Sequence, residues 1–393
     1  LSIIDLDSKS NQPFISEDKN LVLSYNGEIY NFLELKEELS KSYKFKTESD
    51  TEIIIAAYLK WGINMVAKFN GMFSFALWDK KNEQFFLCRD RLGIKPLYYS
   101  EYQESIIFSS SLKAINQYYL TKTSINKDDF VDFLRFGTVH SPNTFLNEIK
   151  SLERASYLIA SSEETKIVEY WNFFNNSSLI NTEQDPHKKI KKLLLDSVDK
   201  RMMSDVPFGV FLSGGIDSSI LVAAASKVST KKINTFSIVF KEKSFDERKY
   251  SRMMASKYKT NHFELELNPE DILHQIEEPF KFMDHPSVDG INTFFISKQI
   301  HEKGYKMAIS GAGADELFSG YPVFKNSIEL SNKKWLFSFP PQIRRLASKL
   351  LYLYKPNLQS EKMGEILNLK LLELSNFYPI FRKIFSDSSI MNL

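Results

Sequence analysis

The sequence predicts two successive fold classes: an α+β domain with antiparallel pairing, then an α/β domain built on a doubly wound parallel sheet. Three observations carry this. The first 170 or so residues read as short strands with few helices, and residues 72–78 answer residues 84–89 across DKKNE in the manner of a hairpin. Between Trp171 and Pro186 lies NFFNNSSLINTEQDP, rich in Asn, Ser and acidic residues, which reads as a linker. Beyond it strands alternate with helices, the rhythm of a parallel sheet covered on both faces. A chain of 393 residues exceeds a single domain of ~150 by about two and a half times, which agrees with two domains. The expected boundaries are 1–172, a linker over 173–186, and 187–393.

Along the first domain, LVLSYNGEIY (21–30) has strand composition interrupted by Asn26-Gly27, a turn or bulge signal. Asn31 followed by Glu34 predicts a cap for the helix LELKEEL. Ser49 followed by Glu52 predicts a capping box opening DTEIIIAAYLKW, stopped by Gly62. Residues 96–100 and 105–109 read as further strands. In the second domain Ile190, Leu193, Leu194 and Val198 have helical spacing. Strands are expected at 206–212, 233–240, 262–267 and 306–310, with helices at 216–228, 246–258 and 291–302 between them. The last 60 residues read as helices without obvious partners.

Composition bounds the function. Apolar residues make up 43% and charged residues 25%, which excludes collagen-like, disordered and disulfide-scaffold classes. With 51 basic and 49 acidic residues the formal charge is +2, so bulk electrostatics mark neither a nucleic-acid nor a membrane-surface binder. The single cysteine, Cys88, rules out an intrachain disulfide and a multi-cysteine metal site, and it suits a reducing compartment. No apolar stretch approaches ~20 residues and no basic-then-apolar leader opens the sequence, so a cytoplasmic protein is expected. The six histidines show no metal-binding spacing.

In a doubly wound sheet, ligands bind where strands end. The first unusual strand end is Leu212-Ser213-Gly214-Gly215-Ile216-Asp217-Ser218-Ser219. Two glycines let backbone approach phosphate oxygens, and the following helix places its positive end there. No lysine follows the glycines, so this is not a Walker A loop. Asp217 would repel a bare phosphate but suits one bridged by Mg²⁺. Ile238-Val239-Phe240 offers an apolar wall at the same edge; alone it is a core strand. Ser310-Gly311-Ala312-Gly313-Ala314-Asp315-Glu316, followed by Gly320-Tyr321, again joins glycines to a carboxylate pair, and alone it reads as a helix start with acidic residues offsetting the dipole. Together the two loops suit a magnesium-bound nucleotide cleaved at its α-phosphate.

The SGGIDSS loop resembles the PP-loop signature of ATP pyrophosphatases. With SGAGADELFSGY and DHPSVDGINTFFISK it resembles the synthetase domain of glutamine-hydrolysing asparagine synthetases. SYNGEIYN, ESDTE, FNGMFSFALWD and RDRLGIKPLYY resemble the glutaminase domain of the same enzymes, an N-terminal-nucleophile (Ntn) hydrolase fold. The resemblance covers nearly the whole chain in the right order. It implies that glutamine is held by Leu1, Ser2, Ile3 and Ile4, by Asn26, Gly27 and Glu28, and by Asp50. Glu28 and Asp50 would take the α-ammonium, and Asn26 with the Gly27 N–H would donate to the oxyanion. It implies that Ser213, Gly214, Gly215, Asp217 and Ser218 hold pyrophosphate and magnesium, that Leu212, Ile238, Ser310 and Gly311 surround the nucleoside of ATP, that Asp315 is a further Mg²⁺ or substrate contact, and that Glu316 and Tyr321 face the substrate. The implied reaction is adenylation of the aspartate side-chain carboxylate, then attack by ammonia from glutamine. The implied partners are glutamine, aspartate and ATP, with neither nucleic acid nor membrane, and a homodimer is left open.

The sequence departs from the family pattern at both ends. The family's nucleophile is an N-terminal cysteine, whereas position one is Leu1, aligned some fifty residues into the domain, and the arginine that normally precedes LSII is missing. Cys88, inside FFLCRD, reads as a buried core residue without a free amine. The basic C-terminal segment that supplies a lysine to the reacting groups has no match. The expectation is a chain truncated at both ends that lacks glutaminase turnover. Two further readings stay open: amidation of another carboxylate, such as a uronic acid or a β-lactam-type ring closure, and a non-catalytic remnant.

Overall fold

A computed structural model describes residues 3–118, 123–174, 185–239, 247–287 and 289–391. The chain divides into two compact units. One contains Leu1–Ser124, Ser141–Asp284 and Gly290–Ser310; the other contains Ile125–His140, His285–Asp289 and Gly311–Leu393.

In the first unit, strands β1 (Phe14–Ile15), β2 (Leu21–Ile29), β3 (Gly71–Asp79), β4 (Gln84–Arg89), β5 (Tyr98–Tyr102), β6 (Ser105–Ser109), β7 (Lys150–Ser151), β8 (Ser156–Ala160) and β9 (Thr165–Glu169) make two antiparallel sheets. Their orders are β1-β2-β3-β4-β8-β9 and β6-β5-β7. The two-residue side-chain period decides what each face packs against. Phe73, Phe75, Leu77, Phe86 and Cys88 point to one core, shared with Ile53, Ile54 and Ile55 of helix Asp50–Trp61 and with Leu35 and Leu39 of helix Phe32–Leu39. Ala76 and Leu87 point to the other, against Leu97 and Tyr99. The expected hairpin forms, with Trp78 opposite Phe85.

Three local expectations are corrected. Asn26-Gly27 does not interrupt β2, which pairs with β3 without a break from Leu21↔Asp79 to Ile29↔Gly71. The glycine is there for a close approach: a Cβ on Gly27 would collide with the Met72 carbonyl oxygen. Asn31 stands at the N-cap but does not cap; its side chain accepts from Asn70 N–H (2.9 Å) and donates to Lys68 O (3.0 Å). Ser49 caps by accepting from Thr51 N–H, yet Glu52 does not close the box. Its carboxylate instead accepts from Lys46 N–H, Thr47 N–H and the Thr47 and Tyr43 hydroxyls, holding the chain that precedes the helix.

The same unit carries a parallel sheet of β10 (Phe208–Phe211), β11 (Asn234–Val239), β12 (Asn261–Glu266) and β13 (Met307–Ile309), in the order β12-β11-β10-β13. Helices Pro186–Arg201, Ile216–Val228 and Arg248–Lys257 pack one face through Val198, Val222, Ala225 and Ala255; helix Gly290–Glu302 packs the other through Ile300. The alternation read from the sequence is therefore a doubly wound sheet. From β10 the chain steps one way to β11 and β12, then returns to β13 on the far side of β10, so strand order reverses between β10 and β13. The expected linker falls mostly on residues 175–184, which lie outside the described residues; helix Pro186–Arg201 begins behind an Asp185 cap.

The second unit is helical. Leu330, Ile366, Leu372, Phe377 and Ile380 form its core. Buried Arg344 ties it by donating to the carbonyls of Phe339, Leu367 and Leu369. The C-terminal helices thus find partners in one another, through loop carbonyls and spacing that no linear pattern displays.

Candidate active site

A cavity of about 510 Å³ opens beside β2, where Tyr25–Glu28 meet Ile3, Ile4, the start of helix Asp50–Trp61 and Lys95. The structure thus brings together Ile3, Ile4, Asn26, Gly27, Glu28 and Asp50; Leu1 and Ser2 lie outside the described residues. Asp50 is the first residue of its helix, where the N-terminal dipole favours a carboxylate. It is buried, and its Oδ2 accepts from the Tyr25 hydroxyl (2.7 Å) and the Ile29 N–H (2.9 Å). Burial pushes its carboxyl up, while those two donors pull it back. Glu28 is only 4% exposed. Burial and then the Asp50 charge push it up to about 7, with Lys95 and Arg201 opposing. Its Oε1 is buried with no hydrogen-bond partner. A buried, unpartnered carboxylate oxygen beside a second carboxylate matches the chemistry of a ligand ammonium.

Sequence reasoning missed Tyr25, which orients Asp50, and Lys95. RDRLGIKPLYY was singled out as a motif without any of its residues being given a task in the site. The signal for Lys95 is its immediate neighbourhood. Asp90 is fully buried and accepts N–H bonds from Phe73, Leu92, Ile94 and Lys95 at 3.0–3.1 Å. Arg89 donates to the carbonyls of Gly93, Lys95 and Leu152. A loop held so firmly fixes the residue at its crest. Cys88 is the core residue expected: fully buried, its thiol pushed far up by desolvation and by Asp90.

In the parallel sheet, Leu212–Gly215 link β10 to helix Ile216–Val228. Gly214 has φ +93°, and a Cβ there would press on Tyr250 Cβ at 2.7 Å. The Ser213 and Ser218 hydroxyls lie 3.0 Å apart, and Ser218 also donates to Gly215 O (3.2 Å). The helix has no side-chain cap, which leaves first-turn N–H groups for an anion. Asp217 is half-buried in that turn. Ser237 donates to Leu212 O, fastening β11 to the loop, and Ile238 and Ser310 lie at the same carboxyl ends of β11 and β13. This cradle sits at the reversal of strand order, where open α/β sheets bind ligands.

Magnesium fits this chemistry. Among the described residues no cluster of three or more His, Cys, Asp or Glu side chains could hold a metal. A Mg²⁺ carried by phosphates needs only one or two protein carboxylates, of which Asp217 would be one. Asp217 belongs to the first unit. Gly311, Asp315, Glu316 and Tyr321 belong to the second, where Asp315 and Glu316 open helix Ala314–Phe318. There Tyr321 donates its hydroxyl to Glu316 Oε1 (2.8 Å), and Gly320 leaves room for the Asp315 carboxylate, which a Cβ would strike. His140 and His285 are loop residues; His262 lies at the start of β12, 3.0 Å from Thr235 Oγ1.

Comparison with known proteins follows the same division. Residues 1–171 match the glutamine amidotransferase domain family, and residues 189–379 the asparagine synthase family. The antiparallel part is accordingly of the Ntn amidotransferase kind, and the parallel sheet is that of a PP-loop synthetase. Asparagine synthetase [glutamine-hydrolyzing] 1 of Bacillus subtilis is 34% identical over 335 residues, covering 84% of this chain and 52% of that protein. A putative asparagine synthetase [glutamine-hydrolyzing] 2 of Methanocaldococcus jannaschii is 35% identical over 370 residues, covering 89% of this chain and 70% of that protein. B. subtilis asparagine synthetase 3 is 30% identical over 367 residues, covering 88% and 59%. The chain thus spans between about half and 70% of the length of these relatives. On the loops, the sheet order and these matches, the chain belongs to the glutamine-hydrolysing asparagine synthetase family.

Proposed function

We propose that the protein acts in glutamine-dependent, ATP-driven synthesis of asparagine, a carbon–nitrogen ligation. Residues 1–172 form the glutamine part and 187–393 the synthetase part, joined through 173–186. In the first part Glu28 and Asp50 bind the glutamine ammonium, and Asn26 with the Gly27 N–H steadies the oxyanion that forms when the amide is cleaved. In the second, Ser213, Gly214, Gly215 and Ser218 hold the nucleotide phosphates, while Leu212, Ile238, Ser310 and Gly311 border the nucleoside. Asp217 and Asp315 would hold Mg²⁺, which when bound offsets phosphate charge. Glu316 and Tyr321 lie toward the acceptor. Activation of the aspartate carboxylate as its adenylate replaces a poor oxygen leaving group with AMP, and ammonia then displaces it. The protein's substrates are small molecules: glutamine, aspartate and ATP. A cytoplasmic site is supported by the buried free thiol, and among the described residues no helix is long and apolar enough to cross a membrane.

The observation that carries this reading is the Ser213–Ser218 loop, with its positive-φ glycine and uncapped helix, at the reversal of strand order. Labelled ATP supplied with ammonium or glutamine and a panel of carboxylates tests it. The expected products are AMP, pyrophosphate and, with aspartate alone, the amide. Release of ADP and phosphate, or indifference to aspartate, defeats the proposal.

A further inference from the structure

Two short helices of the first unit come from opposite halves of the sequence, and each completes the end of the other. Helix Leu112–Tyr118 lies within the residues matched by the amidotransferase family, and helix Glu278–Phe282 within those matched by the asparagine synthase family. At seven and five residues, neither is stable alone in water. Ser111 stands where a hydroxyl ordinarily accepts from the first turn, but it donates to Asp284 Oδ1 (2.8 Å). That same oxygen accepts the Lys113 N–H (3.1 Å), so a carboxylate 171 positions away takes the capping role. In return Lys113 Nζ donates to the carbonyls of Phe280 (2.8 Å) and Lys281 (3.0 Å), in the last turn of helix Glu278–Phe282, where a cation suits the dipole. Each helix is also tied to its own part. Leu112 and Ile115 are buried with Ile149, and Lys298 of helix Gly290–Glu302 donates to Gln275 (2.9 Å) and Glu278 (2.8 Å). After Asp284 the chain passes into the second unit, and it returns at Gly290.

We propose that Asp284 and Lys113 form a latch between the amidotransferase and synthetase parts, through which the two helices order and fray as one unit. The latch fixes the point at which the DHPSVDG stretch leaves the first unit, so loosening of one part reaches the other.

The test is hydrogen–deuterium exchange of the full chain, read by mass spectrometry over residues 112–118 and 278–284. Lys113→Met keeps the apolar stem and the backbone N–H but removes the ammonium. It should speed exchange about fivefold in both segments, including the one on the other part. Asp284→Ala should do the same. Asp284→Asn still offers an oxygen to the Lys113 N–H and should keep both segments within about twofold of wild type. Lys113→Met decides the matter by itself where Asp284→Ala does not fold. A change confined to one segment overturns the latch, and so does unchanged exchange in both. An even rise that includes helix Ile216–Val228 overturns it as well, because it marks a general loss of stability.

Discussion

Glu28 shows how one side chain ties the empty cavity to stability and the filled one to binding. Its carboxyl titrates near 7 in the fold against an ordinary 4.5, raised by burial and by Asp50. The native state therefore holds a proton that the unfolded chain has already released between those values, and stability falls as pH rises through that window. Glu28→Gln should leave stability unchanged near pH 4 and raise it by about 2 kcal/mol at pH 8, read by urea denaturation. The same substitution should weaken glutamine binding, because the ammonium loses a charged partner. A stability difference between variant and wild type that is the same at both pH values would contradict the buried, unpartnered carboxylate. Asn26-Gly27 was singled out in the sequence and does line the cavity; that its glycine serves a strand crossing and not a turn was not legible, because only the partner strand reveals the Met72 carbonyl.

At the scale of elements, the nine-residue register of β2 on β3 sets where Tyr25–Glu28 stand relative to helix Asp50–Trp61. Gly27→Ala forces a methyl group against Met72 O and should cost about 2–3 kcal/mol in urea denaturation, with loss of glutamine binding as the strands part. A variant of wild-type stability would show that the strands can separate freely there. The bounds of helix Ile216–Val228 and strand Gln84–Arg89 were readable residue by residue. The capping box at Ser49 was half readable. The hydroxyl does cap, but Glu52 is drawn off by four donors from residues 43–47, a competition that sequence spacing does not encode.

At the scale of the molecule, the cavity beside β2 and the Ser213–Ser218 loop lie on different sheets of the first unit and meet through one short segment. Arg201 packs on Tyr30. Asp205 donates its N–H to Ile3 O (3.0 Å) and accepts from Asp5 N–H (2.8 Å), three residues before β10 begins. The wall of the cavity beside β2 and the strand that presents the Ser213–Ser218 loop thus share an anchor. Separate sheets nevertheless imply separable ligands. Asp217→Ala should reduce aspartate-dependent ATP–pyrophosphate exchange at least about a hundredfold while leaving glutamine affinity within about twofold. Loss of both would show that the Asp217 loop supports the cavity as well.

The order of the two fold classes and the glycine loops at strand ends were legible in local information: side-chain periodicity, glycine placement and composition. The carboxylates at 28 and 50 were named only through the family resemblance. What the tertiary structure alone decided is pairing at a distance. It joined residues 22 positions apart, Glu28 and Asp50, in one desolvated cavity, left Glu28 Oε1 without a donor, set Lys95 on a loop pinned by Asp90, and placed β13 beside β10 so that strand order reverses at the Ser213–Ser218 loop. Desolvation and charge–charge coupling depend on three-dimensional separation, and no spacing along the chain reports that quantity.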